Sequence, residues 1–272
     1  MTVAQDPYAG KNLINYTTKN GVGIIELSNP PANTYSYTFF RQFDEAVLQA
    51  RFDPEVWAIL VTGSGDKFFS AGADIKYLQQ VTPEYKYFFC LHANETLARL
   101  EQTPKITIAA INGHCVGGGL EIAMACDLRF ARKDGGKIGL PEVNLGVLPG
   151  TGGTQRLVRI LGKARAIEWM TTGANYTFEE AEQYGILNGL WEGTSEAFKA
   201  QAIEYARQFT PPNKASMSVG LIKRACQTGA ELPLQDALAL ERELQQQLFK
   251  SEDAKEGINA YNEKRTPKFK GK

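Results

Sequence analysis

The chain has 272 residues, of which 22% are charged, 43% hydrophobic and 10% aromatic, a balance that excludes a disordered tail, a coiled coil and a small disulfide-stapled scaffold. Its length allows one large or two smaller domains with a sizeable core. Thirty Lys plus Arg against thirty Asp plus Glu leave no net charge, so the basic footprint of nucleic-acid or anionic-membrane binding is missing and a small ligand or protein partner fits better.

Residues 1–11 carry Asp6, Pro7 and Gly10 where a secretory leader would run from basic to apolar, and nowhere does an apolar run reach the ~18 residues of a membrane span. Residues 13–18 and 22–28, rich in Ile, Tyr, Thr and Val and separated by Lys19-Asn20-Gly21, predict a hairpin. Apolar positions Phe39, Phe40, Phe43, Ala46 and Val47 predict a helix over 36–52, and 57–62 a buried strand. The rhythm recurs with a helix over 84–100, limited by Pro104, and a strand over 106–111. An Ala-rich helical segment at 120–125 precedes a strand-like 128–131, and from about 177 the chain reads as mostly helical, with amphipathic stretches at 195–208, 214–225 and 234–249. The organisation expected is an α/β core over 1–192 carrying the functional site and a helical C-terminal region over 193–272.

Cys90, Cys115, Cys126 and Cys226 form no CxxC and no zinc-type pairing with His, so buried free thiols, no metal site and a cytoplasmic location are expected. With His92 and His114 the sole histidines, proton transfer falls to carboxylates. His114 itself reads as a satisfied interior side chain.

Glycine marks where backbone geometry matters: 11 of the 26 lie between Gly113 and Gly153. Gly117-Gly118-Gly119 directly precedes a helical run, where the first N–H groups lack partners and the absence of Cβ atoms lets a ligand oxygen approach. A tight strand-to-helix turn with close packing is the bland alternative; Glu121 is what lifts the functional reading. It stands one helical turn beyond Gly118 in an otherwise apolar run, so a base and an oxyanion donor could serve one substrate. A second acid, Glu142, follows Pro141 among apolar neighbours. Two such glutamates can divide acid and base roles, because a carboxyl in an apolar pocket holds its proton near neutrality; glycoside hydrolysis also uses paired carboxylates, and spacing does not separate the two. A third segment, residues 68–76, follows a strand and a Gly63-Ser64-Gly65-Asp66 turn, where small residues would admit a ligand and a second N–H donor. Neither GxGxxG nor GxxxxGK[ST] occurs, which removes support for dinucleotide and P-loop readings.

Together these segments resemble the crotonase (enoyl-CoA hydratase/isomerase) superfamily over nearly the whole chain. Residues 69–75 (FSAGADI) look like its first oxyanion motif, 112–121 (NGHCVGGGLE) like its second and 141–150 (PEVNLGVLPG) like its third, with 152–157 (GGTQRL) following in order. The resemblance implies an α/β fold built as a crotonase-like spiral of ββα units, with a helical C-terminal trimerisation region and a homo-oligomer, a trimer or dimer of trimers. It implies an acyl-CoA thioester substrate from fatty-acid metabolism, with coenzyme A part of the substrate and no separate cofactor. The thioester oxygen would lie on the N–H groups of Ala73 and Gly118, and the CoA moiety along Ala71, Ala73, Asp74, Ile75 and Lys76. Because both acidic positions used by the family's hydratases hold Glu, the implied reaction is addition of water across the 2,3 double bond. Glu121 and Glu142 would together position one water, Glu121 helping to activate it for attack at the β-carbon and Glu142 supplying the α-carbon proton.

Rivals within the family are an enoyl-CoA isomerase, which needs no activated water, and a lyase or hydrolase acting on a cyclic or aromatic acyl group. The aromatic-rich segments 33–40 and 77–89 motivate the latter, although core packing is the commoner use of such residues. RNA binding would call for a basic stripe, and the 41–51 segment sets only its end arginines against Asp44 and Glu45. A catalytically silent scaffold fits poorly with both glutamates retained. The basic C-terminus, 264–272, reads as a solvated tail, with contact to CoA phosphates the alternative.

Overall fold

A computed structural model of the chain describes residues 6–272; residues 1–5, part of the stretch read above against a leader, lie outside the described residues. The opening hairpin pairs β1 (Ile14–Lys19) with β2 (Val22–Leu27) antiparallel across Asn20 and Gly21, both in the positive-φ conformation that a two-residue turn requires. Helix α1 (Tyr37–Phe52) leads to β3 (Ala58–Gly63), β4 (Phe68–Ser70), a single turn α2 (Ile75–Leu78) and the long α3 (Pro83–Gln102). Next come β5 (Ile106–Ile111), β6 (His114–Val116) and α4 (Gly118–Met124), then β7 (Leu128–Arg132), β8 (Lys137–Gly139), a 3-10 turn (Glu142–Leu145) and α5 (Gly153–Leu161). The chain continues through α6 (Lys163–Thr172), β9 (Tyr176–Thr177), α7 (Phe178–Gln183) and β10 (Gly189–Trp191) to α8 (Ser195–Arg207), α9 (Ser216–Gly229), α10 (Leu234–Phe249) and α11 (Glu252–Asn262).

The simple β-α-β rhythm conceals a strand-strand-helix repeat, the spiral of ββα units that the resemblance implies. In the pairs β3–β4, β5–β6 and β7–β8 the first strand joins a six-stranded sheet of order β1-β2-β3-β5-β7-β10 and the second a smaller sheet of order β4-β6-β8-β9, whereas β1 and β2 both lie in the larger sheet and β9 precedes its large-sheet partner β10. Strand β3 is buried at every position because both faces of the larger sheet are covered, which is why its sequence is a continuous apolar run rather than an alternation. Phe39, Phe43, Val47, Leu97 and Leu100 from α1 and α3 belong to the main core with Ile59 and Val61, while Phe198, Ala202 and Ala206 of α8 meet Ala58, Leu60 and Ile108 on the other face. Lys223 of α9 ties this cover to the sheet through a buried ion pair with Asp127 at 2.8 Å.

Within the small sheet β4, β6 and β8 are adjacent and parallel, so their C-terminal ends lie side by side. The three motif segments each follow one of those ends. That is the physical reason why residues near 71, 118 and 142 share one place.

Two expectations are corrected here. Only Cys115 and Cys126 are buried; Cys90 is partly exposed and Cys226 lies in the open, because α3 and α9 present these positions away from the sheet core. The basic C-terminus is not a free tail. Asp253 accepts the backbone N–H groups of Lys270 and Gly271 at 2.7 and 2.8 Å, and Arg265 holds Glu256 at 2.6 Å, so the last residues are anchored along α11. No helix among the described residues is long and apolar enough to cross a membrane.

Candidate active site

The segment after β4 is set by a polar knot around Asn33. Its side-chain amide donates to the carbonyls of Ser64, Phe68 and Phe69 at 3.0–3.2 Å, while its own carbonyl accepts from Ser70 Oγ at 2.8 Å. This joins the stretch before α1 to the stretch before α2, and a parallel bridge between Tyr35 and Ala73 continues it. In that bridge Tyr35 N donates to Gly72 O at 2.9 Å and Tyr35 O accepts from Asp74 N at 3.0 Å. Parallel pairing of this kind leaves the N–H of the central residue, Ala73, facing the opposite side.

The second donor comes from the start of α4. Gly117 adopts a φ of 56°, a left-handed backbone that turns β6 into the helix, and Gly118 is its first residue, so its N–H has no partner in the helix. A Cβ built on Gly72 would lie 2.8 Å from Gly118 N, which puts the Ala73 segment and the Gly118 amide in contact. The two candidate main-chain donors therefore belong to adjoining segments.

Glu121 is 1% exposed. Its Oε1 accepts N–H groups from Thr151 and Gly153, both at 2.7 Å, from the loop leading into α5. Burial raises its pKa, and these charge-stabilising bonds work against that rise. Glu142, at the start of the 3-10 turn, differs. Its Oε2 is sealed from solvent with no hydrogen-bond partner among the described residues, and its pKa is pushed up to about 7, first by burial and then by the charge of Glu121. Of the two, Glu142, which lacks the donors that stabilise a charge on Glu121, is the better suited to hold a proton near neutrality.

A cavity of about 520 Å³ opens on this centre, lined by Tyr35, Ala71, Ala73, Gly118, Glu121, Glu142 and Thr151, with Ile75, Leu78, Val81, Leu145, Val147 and Leu148 supplying apolar wall. The structure thus brings together Glu121, Glu142, Ala73, Gly118, Ala71 and Ile75. Asp74 and Lys76 stay outside the lining: the Asp74 carboxylate caps α2, accepting Lys76 N at 2.8 Å, and is also bonded by the Tyr8 hydroxyl, while Lys76 points to solvent. His114 lies elsewhere too, with Nδ1 accepting Lys137 N at 3.0 Å between β6 and β8. Of the flagged aromatics, Phe39, Phe40, Tyr77 and Phe89 are core residues, Tyr87 and Phe88 are exposed, and Tyr35 alone lines the cavity.

Sequence reasoning missed Thr151 and Gly153 as the clamp on Glu121, because nothing local links residues 30 positions apart. It flagged Tyr35 only as one aromatic among several in segment 33–40, and nothing local singled it out from the neighbours that pack into the core.

The Glu142 environment has a measurable cost. Folding raises this pKa from 4.5 to about 7, so between those values the folded chain binds more protons than the unfolded one and stability falls as pH rises. Above that window the penalty is complete, at most about 3 kcal/mol. Glu142→Gln removes it and is expected to raise the thermal midpoint at pH 8 but not at pH 4. Calorimetry at both values checks this, and an unchanged midpoint at pH 8 would contradict an elevated Glu142.

Comparison with known proteins identifies the family. The family model for enoyl-CoA hydratase/isomerase matches residues 17–272. A Bacillus subtilis protein named probable enoyl-CoA hydratase is 37% identical over 262 residues, covering 96% of this chain and 99% of its own. The short-chain-enoyl-CoA hydratase of Clostridium acetobutylicum is 36% identical over 90% of this chain and 92% of its own. A crystal structure of a Geobacillus kaustophilus enoyl-CoA hydratase superposes with a TM-score of 0.92 at 45% identity, covering 96% of this chain and 98% of that one.

Proposed function

The chain belongs to the enoyl-CoA hydratase/isomerase family, of the crotonase superfamily, and from that premise we propose that it hydrates 2-enoyl-CoA thioesters to 3-hydroxyacyl-CoA. The observation that carries the reading is the unequal acid pair: a clamped Glu121 beside a Glu142 whose pKa is raised to about 7, both opening on a cavity that Ala73 and Gly118 also line.

In this reading the thioester oxygen accepts the two amides, which stabilise the enolate-like charge that develops on it; preorganised donors of this kind contribute about 2.7–4 kcal/mol each. The water oxygen bonds to the β-carbon as Glu121 takes one of its protons, and Glu142 gives its proton to the α-carbon. Oxygen and two hydrogens are added and nothing leaves. Each turnover ends with the single proton of the pair on the other carboxylate, and a transfer between them restores the start.

The chemistry asks for no cofactor beyond the CoA of the substrate. Ala71, Ala73, Ile75 and Gly118 line the route for the thioester, and the Asp74-capped turn carrying Lys76 borders it. Self-association as a trimer or dimer of trimers is supported by exposed Ile222, Leu234 and Phe249 on α9 and α10, and a cytoplasmic site of action goes with the free thiols. An isomerase would leave the Glu121 clamp without use, and a ring-bearing acyl group loses its motive with most flagged aromatics committed to the core.

The test is incubation of purified protein with linear and ring-bearing enoyl-CoAs in heavy-oxygen water, followed by mass spectrometry. One heavy oxygen in the product from crotonyl-CoA is expected, with linear substrates turned over at least as well as ring-bearing ones. Double-bond migration without oxygen uptake would refute hydration.

A further inference from the structure

Three charged side chains line the active-site cavity: Glu121, Glu142 and Lys86. The two acids have their work in the proposed reaction, and the lysine has none. Lys86 stands in the first turn of α3, where its N–H bonds the carbonyl of Thr82 at 2.9 Å. That is the end of a helix at which the macrodipole disfavours a cation, so helix stability does not account for it. A local rule broken in this way marks function.

Its surroundings do not account for it either. The cavity wall it shares is apolar, built from Leu78, Val81, Leu145, Val147 and Leu148. Lys86 is half-buried, with its ammonium 5.1 Å from the centroid of the Phe89 ring, and no carboxylate among the described residues pairs with it. A lysine stem can pack on apolar surface in this way while its charged head stays available to a ligand. That head also acts on the reacting end of the site. Burial raises the pKa of Glu121 and of Glu142, and the positive charge of Lys86 works against the rise in both. The phosphates of CoA hang at the far end of the pantetheine arm, many bonds from the thioester, whereas the carbons that the two acids serve lead straight into the acyl chain. An anion that meets Lys86 there belongs to the acyl group.

We propose that Lys86 binds a carboxylate at the far end of the acyl chain, so that the preferred substrates are 2-enoyl-CoA thioesters of dicarboxylic acids. The proposal deepens, and rests on, the hydratase reading. Without Lys86 such a carboxylate would enter an apolar wall unpaired and face the charge of Glu121, and both are unfavourable. With Lys86 it gains a charge-assisted hydrogen bond, and the ammonium gains the partner that its own chain does not supply. Crotonyl-CoA, which carries no such group, remains a slower substrate.

The test measures hydration of glutaconyl-CoA, whose carboxylate stands one methylene beyond the double bond, and of the hexenedioyl ester one methylene longer. Each is compared with the neutral ester in which an isopropyl group of the same shape replaces the carboxylate. In wild type, kcat/KM for at least one carboxylated ester is expected to exceed that of its neutral counterpart by at least ~10-fold, the scale of one charge-assisted bond. Lys86→Met and the more polar Lys86→Gln are each expected to cut this ratio by at least ~10-fold, while Lys86→Arg, which keeps the charge, retains a preference for the carboxylate. Both esters are measured on the same protein, so a folding defect or a shift in the acids cancels from the ratio. Neutral esters turned over by wild type as well as the carboxylated ones would overturn the proposal. So would a ratio that Lys86→Met and Lys86→Gln leave unchanged, and a parallel fall in both esters would then assign Lys86 to tuning the acids or to the phosphates of CoA. A wild type that hydrates neither class of ester would refute the hydratase reading itself.

Discussion

Glu121→Gln and Glu142→Gln are each expected to lower crotonyl-CoA hydration by at least ~100-fold while leaving the oligomer intact, the scale of a lost general acid or base. Neither change alters shape. In Glu121→Gln the side-chain carbonyl still accepts the Thr151 and Gly153 amides at the present 2.7 Å geometry, so what disappears is the ability to take a proton. In Glu142→Gln the amide cannot deliver a proton to the α-carbon, although it removes the cost of ionising a buried carboxyl. The two variants should also part in their pH dependence. Wild-type hydration falls as pH rises through about 7, where Glu142 loses its proton, and that falling limb persists, displaced downward, in the residual activity of Glu121→Gln, because removing the neighbouring charge lowers the Glu142 pKa. It should be absent from Glu142→Gln. Steady-state kinetics from pH 5 to 9, with sedimentation as the control on assembly, check the set; full activity in either variant refutes the division of roles.

The second large effect is expected from one methyl group. Gly118→Ala places a Cβ into the Tyr35 phenol, and the ring cannot retreat because Phe40 lies 4.8 Å away, centroid to centroid, with Phe39 and Phe89 behind it. The start of α4 must move instead, and the Gly118 N–H moves with it. Losing one oxyanion donor lowers turnover by ~100-fold to 1,000-fold, so kcat/KM for crotonyl-CoA should fall by at least that lower figure. The variant should remain folded by circular dichroism, since α4 is buried among Leu120, Ile122 and Ala123, whose contacts survive a shift of one end. Activity within fivefold of wild type would show that the Gly118 amide is not the donor.

The order and type of most elements were legible because hydrophobic period is a local property. The apolar run Ala58–Val61 of β3, the Asn20-Gly21 turn and the stripe of Phe39, Phe43 and Val47 each announce themselves within a dozen residues. The catalytic candidates were legible for a different reason: glycines before a helix and acids inside apolar runs break local rules, and such breaks mark chemistry. Cys226 and the C-terminal tail were misread because composition says nothing of which face a helix shows, or of whether a neighbouring helix offers an Asp253 to receive the last amides.

By itself, then, the amino-acid order determined the strand and helix succession, the three segments that matter and the presence of two carboxylates among apolar neighbours. Only the tertiary structure decided that the Glu142 Oε2 lacks a donor, that Thr151 and Gly153 grip Glu121, and that Tyr35 reaches across 83 positions to touch Gly118. The reason is that burial and hydrogen-bond donors, which set a pKa and orient a side chain, come from segments remote in sequence. They meet here because β4, β6 and β8 run parallel in one small sheet and end at the same edge.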